Sequence, residues 1–335
     1  MIASYQELIK TEKLKTEHLL IGNGFSIGLW KDFNYSSLYD NQRDTLDNKD
    51  RSLFEELQTT NFEYVLENIK RAIGINKIFR YETNELSVSY ERIKRALING
   101  VVNVHPNNFD MQLNNRIDSN YTFSIFTKSI FTTNYDLIPY WLHVKLHNQH
   151  RTINDFFRRN SLYYLNFTPK KNDDSLNLYY LHGGLHLFVN EENIIEKVRK
   201  NRHEFLIDAV TESMEQNNIP LYVSEGKWVD KLEQIQSNKY LRFCYNSLMN
   251  INGHLTIFGH DLNESADKHI VDAINGSKVE VIAYGIYDLD KKEAISERIR
   301  SYFPDKEIYF FNSRTFDKSV KNIRHPLAWG EHRNW

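Results

Sequence analysis

Asn134, Asp136 and His182 carry side chains that can orient a hydroxyl, face a developing positive charge and take up a proton. Each stands where an apolar run stops. Residues 129–133, Ser-Ile-Phe-Thr-Thr, lead into Asn134-Tyr135-Asp136, and residues 176–181 lead into His182-Gly183-Gly184. Asparagine and aspartate are poor strand formers, so their place directly after a β-branched run marks a strand end. An imidazole titrates near neutrality and can act as general base on a hydroxyl or a water. An amide and a carboxylate suit ribose hydroxyls. Plainer uses exist for the same residues: Asn134 and Asp136 can cap the following turn, and His182 can be a core histidine bonded to neighbouring backbone.

Two further apolar runs end in the same manner. Leu19-Leu20-Ile21 is followed by Gly22-Asn23-Gly24-Phe25-Ser26, and residues 255–258 are followed by Gly259-His260-Asp261-Leu262. Glycines at such a turn permit positive φ and let backbone N–H groups approach an anion. A strand–Gly-x-Gly–helix turn serves packing as well as phosphate binding. The third glycine and the later acidic residue of the dinucleotide fingerprint are not present in usable form. In a parallel sheet all four ends would lie along one edge, where open α/β sheets bind ligands.

The elements that must position these groups follow from periodicity. Residues 1–17 read as a short amphipathic lead-in helix, residues 18–22 as a buried strand, and the polar residues 31–52 as loop and turns. Phe62, Val65, Leu66 and Ile69 share one helical face behind an Asn61 N-cap. A second helix covers residues 87–102, and residues 53–120 form a helical insertion over the sheet. Residues 140–160 read as helical and basic. Strands are expected at 176–181, 220–223, 255–258, 279–284 and 308–311, with helices at 231–250, 267–275 and 291–302. Such alternation predicts a Rossmann-like, doubly wound, mostly parallel α/β sheet with a helical subdomain, all within a single domain over residues 1–335.

Composition narrows the function. Hydrophobic residues make up 41% and charged residues 26%, enough apolar side chains for a core. The net charge of −2 gives no basic excess, so nucleic acid is not indicated. The single cysteine, Cys244, excludes an internal disulfide and a cysteine-built zinc site, and its apolar neighbours suggest an inert buried thiol. No apolar run reaches the ~20 residues of a membrane span, and no signal-peptide pattern is seen, so a cytoplasmic protein is expected. Lys197, Arg199, Lys200, Arg202 and His203 read as a solvated basic face. His143, His147 and His150 fall at helical spacing and read as a solvated face rather than a metal site. His186 reads as structural, and His260 and His269 divide evenly between pocket and structure.

Together, GNGFS at 22–26, TTNYD at 132–136, LHG at 181–183 and FGHDLNESADKHI at 258–270 resemble the sirtuin (SIR2-like) superfamily. The closer resemblance is to its branch in bacterial anti-phage defence and, within that, to the uncharacterised-domain group DUF4917. VSEG at 223–226, Lys231 and Tyr240-Leu241 resemble that group too. The resemblance implies an NAD⁺ site. Asn134, His182 and Asp136 would be catalytic. Gly22, Asn23, Gly24, Phe25, Ser26, Thr133, Gly183, Gly259, His260 and Asp261 would contact the dinucleotide, Phe25 walling the nicotinamide side. The helix at Phe62 and Glu63 would pack over the site. Sirtuin deacetylases carry a four-cysteine zinc module, which one cysteine cannot build, so the resemblance favours outright NAD⁺ cleavage that needs no metal. It also implies a homo-oligomer or a defence partner protein. The alternatives are a catalytically silent nucleotide-binding sensor and an ADP-ribosyltransferase.

Overall fold

In the computed structural model, β1 (His18–Ile21) is buried along its whole length, as expected of a strand paired on both edges and covered on both faces. It pairs in parallel with β2 (Ser129–Thr132) and with β10 (Asn252–Phe258). Beyond β2 lie β6 (Leu176–Tyr180) and β3 (Ile153–Asn154). Beyond β10 lie β11 (Lys278–Ile286) and β12 (Glu307–Asn312). Every pairing in this seven-stranded sheet is parallel. The chain builds the β2 side first, then crosses past β1 to build the other. Strand order therefore reverses between β1 and β10, where a doubly wound sheet opens a crevice at the strands' carboxyl ends. The described residues are 2–106, 123–147, 153–159, 164–170, 175–190, 192–200, 203–216, 218–223 and 227–316.

Helices fill both faces. α1 (Tyr5–Lys10) precedes β1, and α2 (Asn23–Leu29) follows it directly. Residues 31–52, expected as loop, instead carry α3 (Tyr35–Gln42) and the start of α4 (Asn48–Glu56). Asn34 and Asp47 cap them by accepting from the N–H groups of Ser37 and Asp50, so the polar residues that read as turns are helix starts. α5 (Phe62–Ile78) and α6 (Asn84–Val104) continue the helical insertion, whose residues 107–120 lie outside those described. Asn61 caps α5, and Phe62, Val65, Leu66 and Ile69 are its buried residues, as the spacing predicts. α7 (Ile138–His147), α8 (Leu206–Glu215), α9 (Trp228–Ser237), α10 (Lys239–Met249), α11 (Glu264–Gly276) and α12 (Lys292–Tyr302) are the further α-helices among the described residues. The helix expected over 231–250 is two helices, because Asn238 stops α9 and caps α10.

A second sheet was not expected. β4 (Phe157–Arg159), β5 (Tyr164–Phe167), β8 (Ile195–Val198), β7 (Gly183–Val189) and β9 (Pro220–Tyr222) pair antiparallel in that order. Part of the helix expected over 140–160 is thus strand, and the strand at 220–222 belongs here rather than to the parallel sheet. Asp155 stands between β3 and β4, where the chain passes from one sheet to the other. Its carboxylate forms a buried ion pair with Lys197 of β8. Lys197 is therefore part of the interior, not of a solvated basic face; Arg202 lies outside the described residues. At the opposite margin, Ala3 bridges Phe311 in parallel and accepts from the Asn312 N–H at 3.0 Å, covering the free edge of β12. The Tyr5 ring packs on Phe311 and Phe316, and its N–H reaches the Thr315 hydroxyl 310 positions away.

Candidate functional site

The turn after β1 and the turn after β10 touch. Gly24 N–H donates to the Gly259 carbonyl at 2.9 Å, and Gly22 N–H donates to the Phe258 carbonyl at 3.2 Å. A Cβ on Gly22 would lie 2.7 Å from the Gly259 oxygen. One on Gly259, whose φ is +65°, would lie 2.4 Å from the Phe25 nitrogen. These glycines first permit two backbones to meet at the strand-order reversal. The Gly24 amide and the Phe25 amide, which donates to the Gly22 carbonyl, are thereby engaged within the protein. Asn23 is exposed at the crevice and supplies the turn's remaining donors.

β2 aims the next group. Thr133 continues the ladder by donating to the Ile21 carbonyl at 3.1 Å. The Asn134 N–H is held by the Thr132 hydroxyl, and its side-chain amide donates to Ser26 Oγ at 2.7 Å. Asn134 Oδ1 is buried without a hydrogen-bond partner, an arrangement that leaves it as an acceptor for a ligand. Ser26 also hydrogen-bonds Asp136, so one hydroxyl ties the amide to the carboxylate. Asp136 Oδ1 accepts from the Ile138 N–H at 2.8 Å. Thus Asp136 both caps its turn and lines the site. Burial raises its carboxyl to about 6, against the hydrogen bonds from Ser26 and Ile138.

His182 stands where the chain leaves β6 for β7. Its carbonyl accepts from the Val223 N–H at 2.9 Å, and Gly183 takes φ +80° to start β7. The His182 Nε2 lies 3.0 Å from the Nε2 of His269 on α11. Burial pushes the His182 imidazole well below its ordinary range, helped by His269, Lys231 and His260, so the ring is neutral at neutral pH.

A single cavity of 960 Å³ joins these groups. Gly22, Asn23, Gly24, Thr133, Asn134, Asp136, His182, Gly259, His260 and Asp261 all line it. It runs across the carboxyl ends of β11, β10, β1, β2 and the turn after β6, five neighbours in the sheet. At about 4.8 Å between strands that is about 19 Å, long enough for a dinucleotide. Three expected residues do not line it. The Phe25 ring packs into the core against Phe123 and Phe258, at 6.1 and 6.0 Å between centroids, because the inner face of α2 is apolar. Ser26 sits behind Asn134. Gly183 faces β9, where a Cβ would strike the Leu221 carbonyl.

The wall opposite the strand ends comes from the helical insertion. Tyr35, Leu38, Glu63, Leu97 and Val101 line it, together with Lys231 and Asp267. Glu63 ties these helices down: its carboxylate takes the Tyr135 hydroxyl at 3.0 Å, hydrogen-bonds the Tyr35 hydroxyl, and faces the Lys231 ammonium at 3.4 Å. Lys231 is buried, which works against its charge, yet Glu63 and Asp267 hold its pKa above the usual lysine range. Periodicity found the helix bearing Glu63 but gave no sign of its partners, which come from distant segments. The β11 end, Tyr284 to Asp288, also lines the cavity; only an apolar run marked it in the sequence. Asp261 pairs with Arg298 at 2.7 Å on the rim.

The other histidines divide. His260 lines the cavity, and its Nδ1 accepts from the Leu262 N–H at 3.1 Å. His186 is fully buried between Tyr140 and Tyr180, a structural place. His143 is buried rather than solvated, since α7 packs inside the fold. The His147 side chain and His150 lie outside the described residues, as do residues 224–226. Among the described residues no group of three or more His, Cys, Asp or Glu side chains is placed to hold a metal ion, and no helix is long and apolar enough to cross a membrane.

The parallel sheet, its order reversal and the crevice above it define a Rossmann-like α/β protein. The chain belongs to the DUF4917 family, a domain of unknown function, whose model matches residues 19–318. No curated protein matches it.

Proposed function

We propose that the protein is an NAD⁺ glycohydrolase, cleaving NAD⁺ with water into nicotinamide, ADP-ribose and a proton. The observation that carries the reading is the convergence of Asn134 and His182, distant along the chain, on one cavity with the glycine turns of β1 and β10. The resemblance of these strand ends to SIR2-like proteins supplies the substrate, and extends the reading to an NAD-depleting effector of bacterial anti-phage defence that acts as an oligomer or with a partner.

In this reaction the carbon–nitrogen bond between ribose and nicotinamide breaks first in the transition state. Its electron pair leaves with nicotinamide, and positive charge builds on the ribose. The free Asn134 Oδ1 accepts from a ribose hydroxyl or from the attacking water. Neutral His182 takes a proton from that water as the new carbon–oxygen bond forms. Above pH 6, ionised Asp136 stabilises the ribosyl cation. Asn23, which supplies the turn's remaining donors, faces the phosphates, with Lys31 beside it on the cavity wall. The carboxylates of Asp261 and Asp288 suit the hydroxyls of the far ribose.

The test is incubation of the purified chain with NAD⁺ while nicotinamide and ADP-ribose are quantified. Asn134→Ala and His182→Ala should each slow release by about 10²-fold or more. Turnover that survives both substitutions overturns the reading, as does failure of the wild type to bind NAD⁺ by calorimetry. Binding without turnover would make the protein a sensor, and label transferred from NAD⁺ to protein would make it an ADP-ribosyltransferase.

A further inference from the structure

Only one nitrogen of His182 is left for a ligand. Nε2 is taken by His269 Nε2 at 3.0 Å, and of the two rings only His182 lines the cavity. Their planes lie 25° apart with centroids at 5.2 Å, so the contact runs close to both ring planes, as an N–H···N bond requires. Both rings are buried and neutral. Burial lowers His269 to about 3, with Lys231 and His260 acting in the same direction and Asp267 against it. Two neutral imidazoles joined Nε2 to Nε2 place one proton between them, and the donor's identity decides what His182 can do. If His269 donates, His182 carries its proton on Nδ1 and presents a donor to the cavity. If His182 donates, its Nδ1 presents a lone pair. Only the second arrangement is a base.

We propose that His269 is the positioning residue of this site, accepting the Nε2–H of His182 so that the bare Nδ1 faces the substrate. It does for His182 what a buried carboxylate does for a catalytic histidine elsewhere, but without a negative charge. The pairing of the two rings is geometry; the direction of donation rests on the glycohydrolase reading, which needs a base at His182. When Nδ1 takes a proton from water, the Nε2–H stays donated to His269, and the charge gained is one proton on His182. The neutral acceptor neither raises the basicity of His182 as a carboxylate would, nor needs a counter-cation inside the fold. His269 is itself held from behind by α10, where the Tyr245 hydroxyl donates to its backbone carbonyl at 3.1 Å. Its Nδ1 is buried without a partner and in this tautomer carries the second proton of the pair, an unmet donor whose desolvation the packing around the ring must offset.

The experiment is two-bond ¹⁵N–¹H correlation on the ring nitrogens of the full chain, with NAD⁺ turnover measured on the same samples. The wild type should show His182 protonated on Nε2 and bare on Nδ1. His269→Leu, which removes the acceptor, should populate the Nδ1–H form and lower turnover about tenfold or more, a loss within the span of general-base catalysis. His269→Gln offers a side-chain oxygen to the same N–H and should restore both the tautomer and most of the rate. A purely structural role would not move the tautomer. A wild-type His182 protonated on Nδ1 overturns the proposal, and that reading needs no variant to fold. Turnover in His269→Leu equal to the wild type overturns it too. Should the wild type cleave no NAD⁺, the glycohydrolase reading fails while the tautomer still decides the pairing.

Discussion

Asp136 and His182 respond to burial in opposite directions, and this fixes which of them governs activity near neutral pH. Burial favours the uncharged form of both. It raises the Asp136 carboxyl to about 6 and pushes the His182 imidazole down. As pH falls from 8 to 5, His182 remains neutral while Asp136 takes up a proton. The rate of nicotinamide release should therefore fall with an acid limb near pH 6 that belongs to Asp136. In Asp136→Asn that limb should vanish, with the plateau lowered by about tenfold or more. A limb at the same pH in the variant would assign it elsewhere. Stability carries the matching sign. An unfolded aspartate titrates near about 3.9, so stability from the protonated, buried form is present below that value and is lost as pH rises through about 6. Asp136→Asn should gain on the wild type across that window. Residue types and strand-end positions made Asn134, Asp136 and His182 readable in the sequence. The sharing of Ser26 by two of them was not readable, because a serine on α2 meets β2 only when β1 and β2 pair.

Among elements, the two glycine turns show how far local patterns carry. Both were visible as glycines after apolar runs, and their strands and following helices lie where the patterns place them. What the patterns leave open is that one turn exists to receive the other. Gly259→Ala combines a left-handed φ of +65° with a Cβ 2.4 Å from the Phe25 nitrogen. It should cost at least about 2 kcal/mol in urea unfolding, since the left-handed conformation alone costs ~1–2 kcal/mol. Gly28, further along α2, has nothing within 4 Å of its added Cβ, so Gly28→Ala should stabilise by about 0.5–1 kcal/mol. Equal effects from the two substitutions would contradict the packing described. The helices over 31–52 escaped notice because Asn and Asp serve turns and N-caps equally, and only the packed helix behind them tells the two apart. Phe25 was misplaced for a related reason: its neighbours mark a ligand turn, but its own ring follows the apolar face of its helix.

At the scale of the whole molecule, the parallel sheet was legible from alternation and the antiparallel one was not. Four of its five strands are only three or four residues long, and they are interleaved in sequence with β6 and α8, so no window of residues displays them. The Asp155–Lys197 pair shows what joins the sheets. Burial would raise the Asp155 carboxyl, but the Lys197 ammonium and His143 hold it far below the usual range. The ammonium also lies over the Tyr140 and Phe157 rings, at 5.1 and 5.6 Å. Lys197→Met leaves that carboxylate buried without its cation and should cost about 3–5 kcal/mol in chemical denaturation at pH 7. Adding Asp155→Asn to it should recover part of the loss. Additive losses would show that the two groups do not act as a pair.

The cover over the outer strand has a bearing on biosynthesis. Tyr5 precedes Thr315 by 310 positions, yet the surface on which Ala3 and Tyr5 dock is made of Phe311, Asn312, Thr315 and Phe316. That surface does not exist until β12 has been synthesised. The segment bearing Ala3 and Tyr5 must wait for β12, and its arrival covers the free edge of that strand, which could otherwise pair with a neighbouring nascent chain.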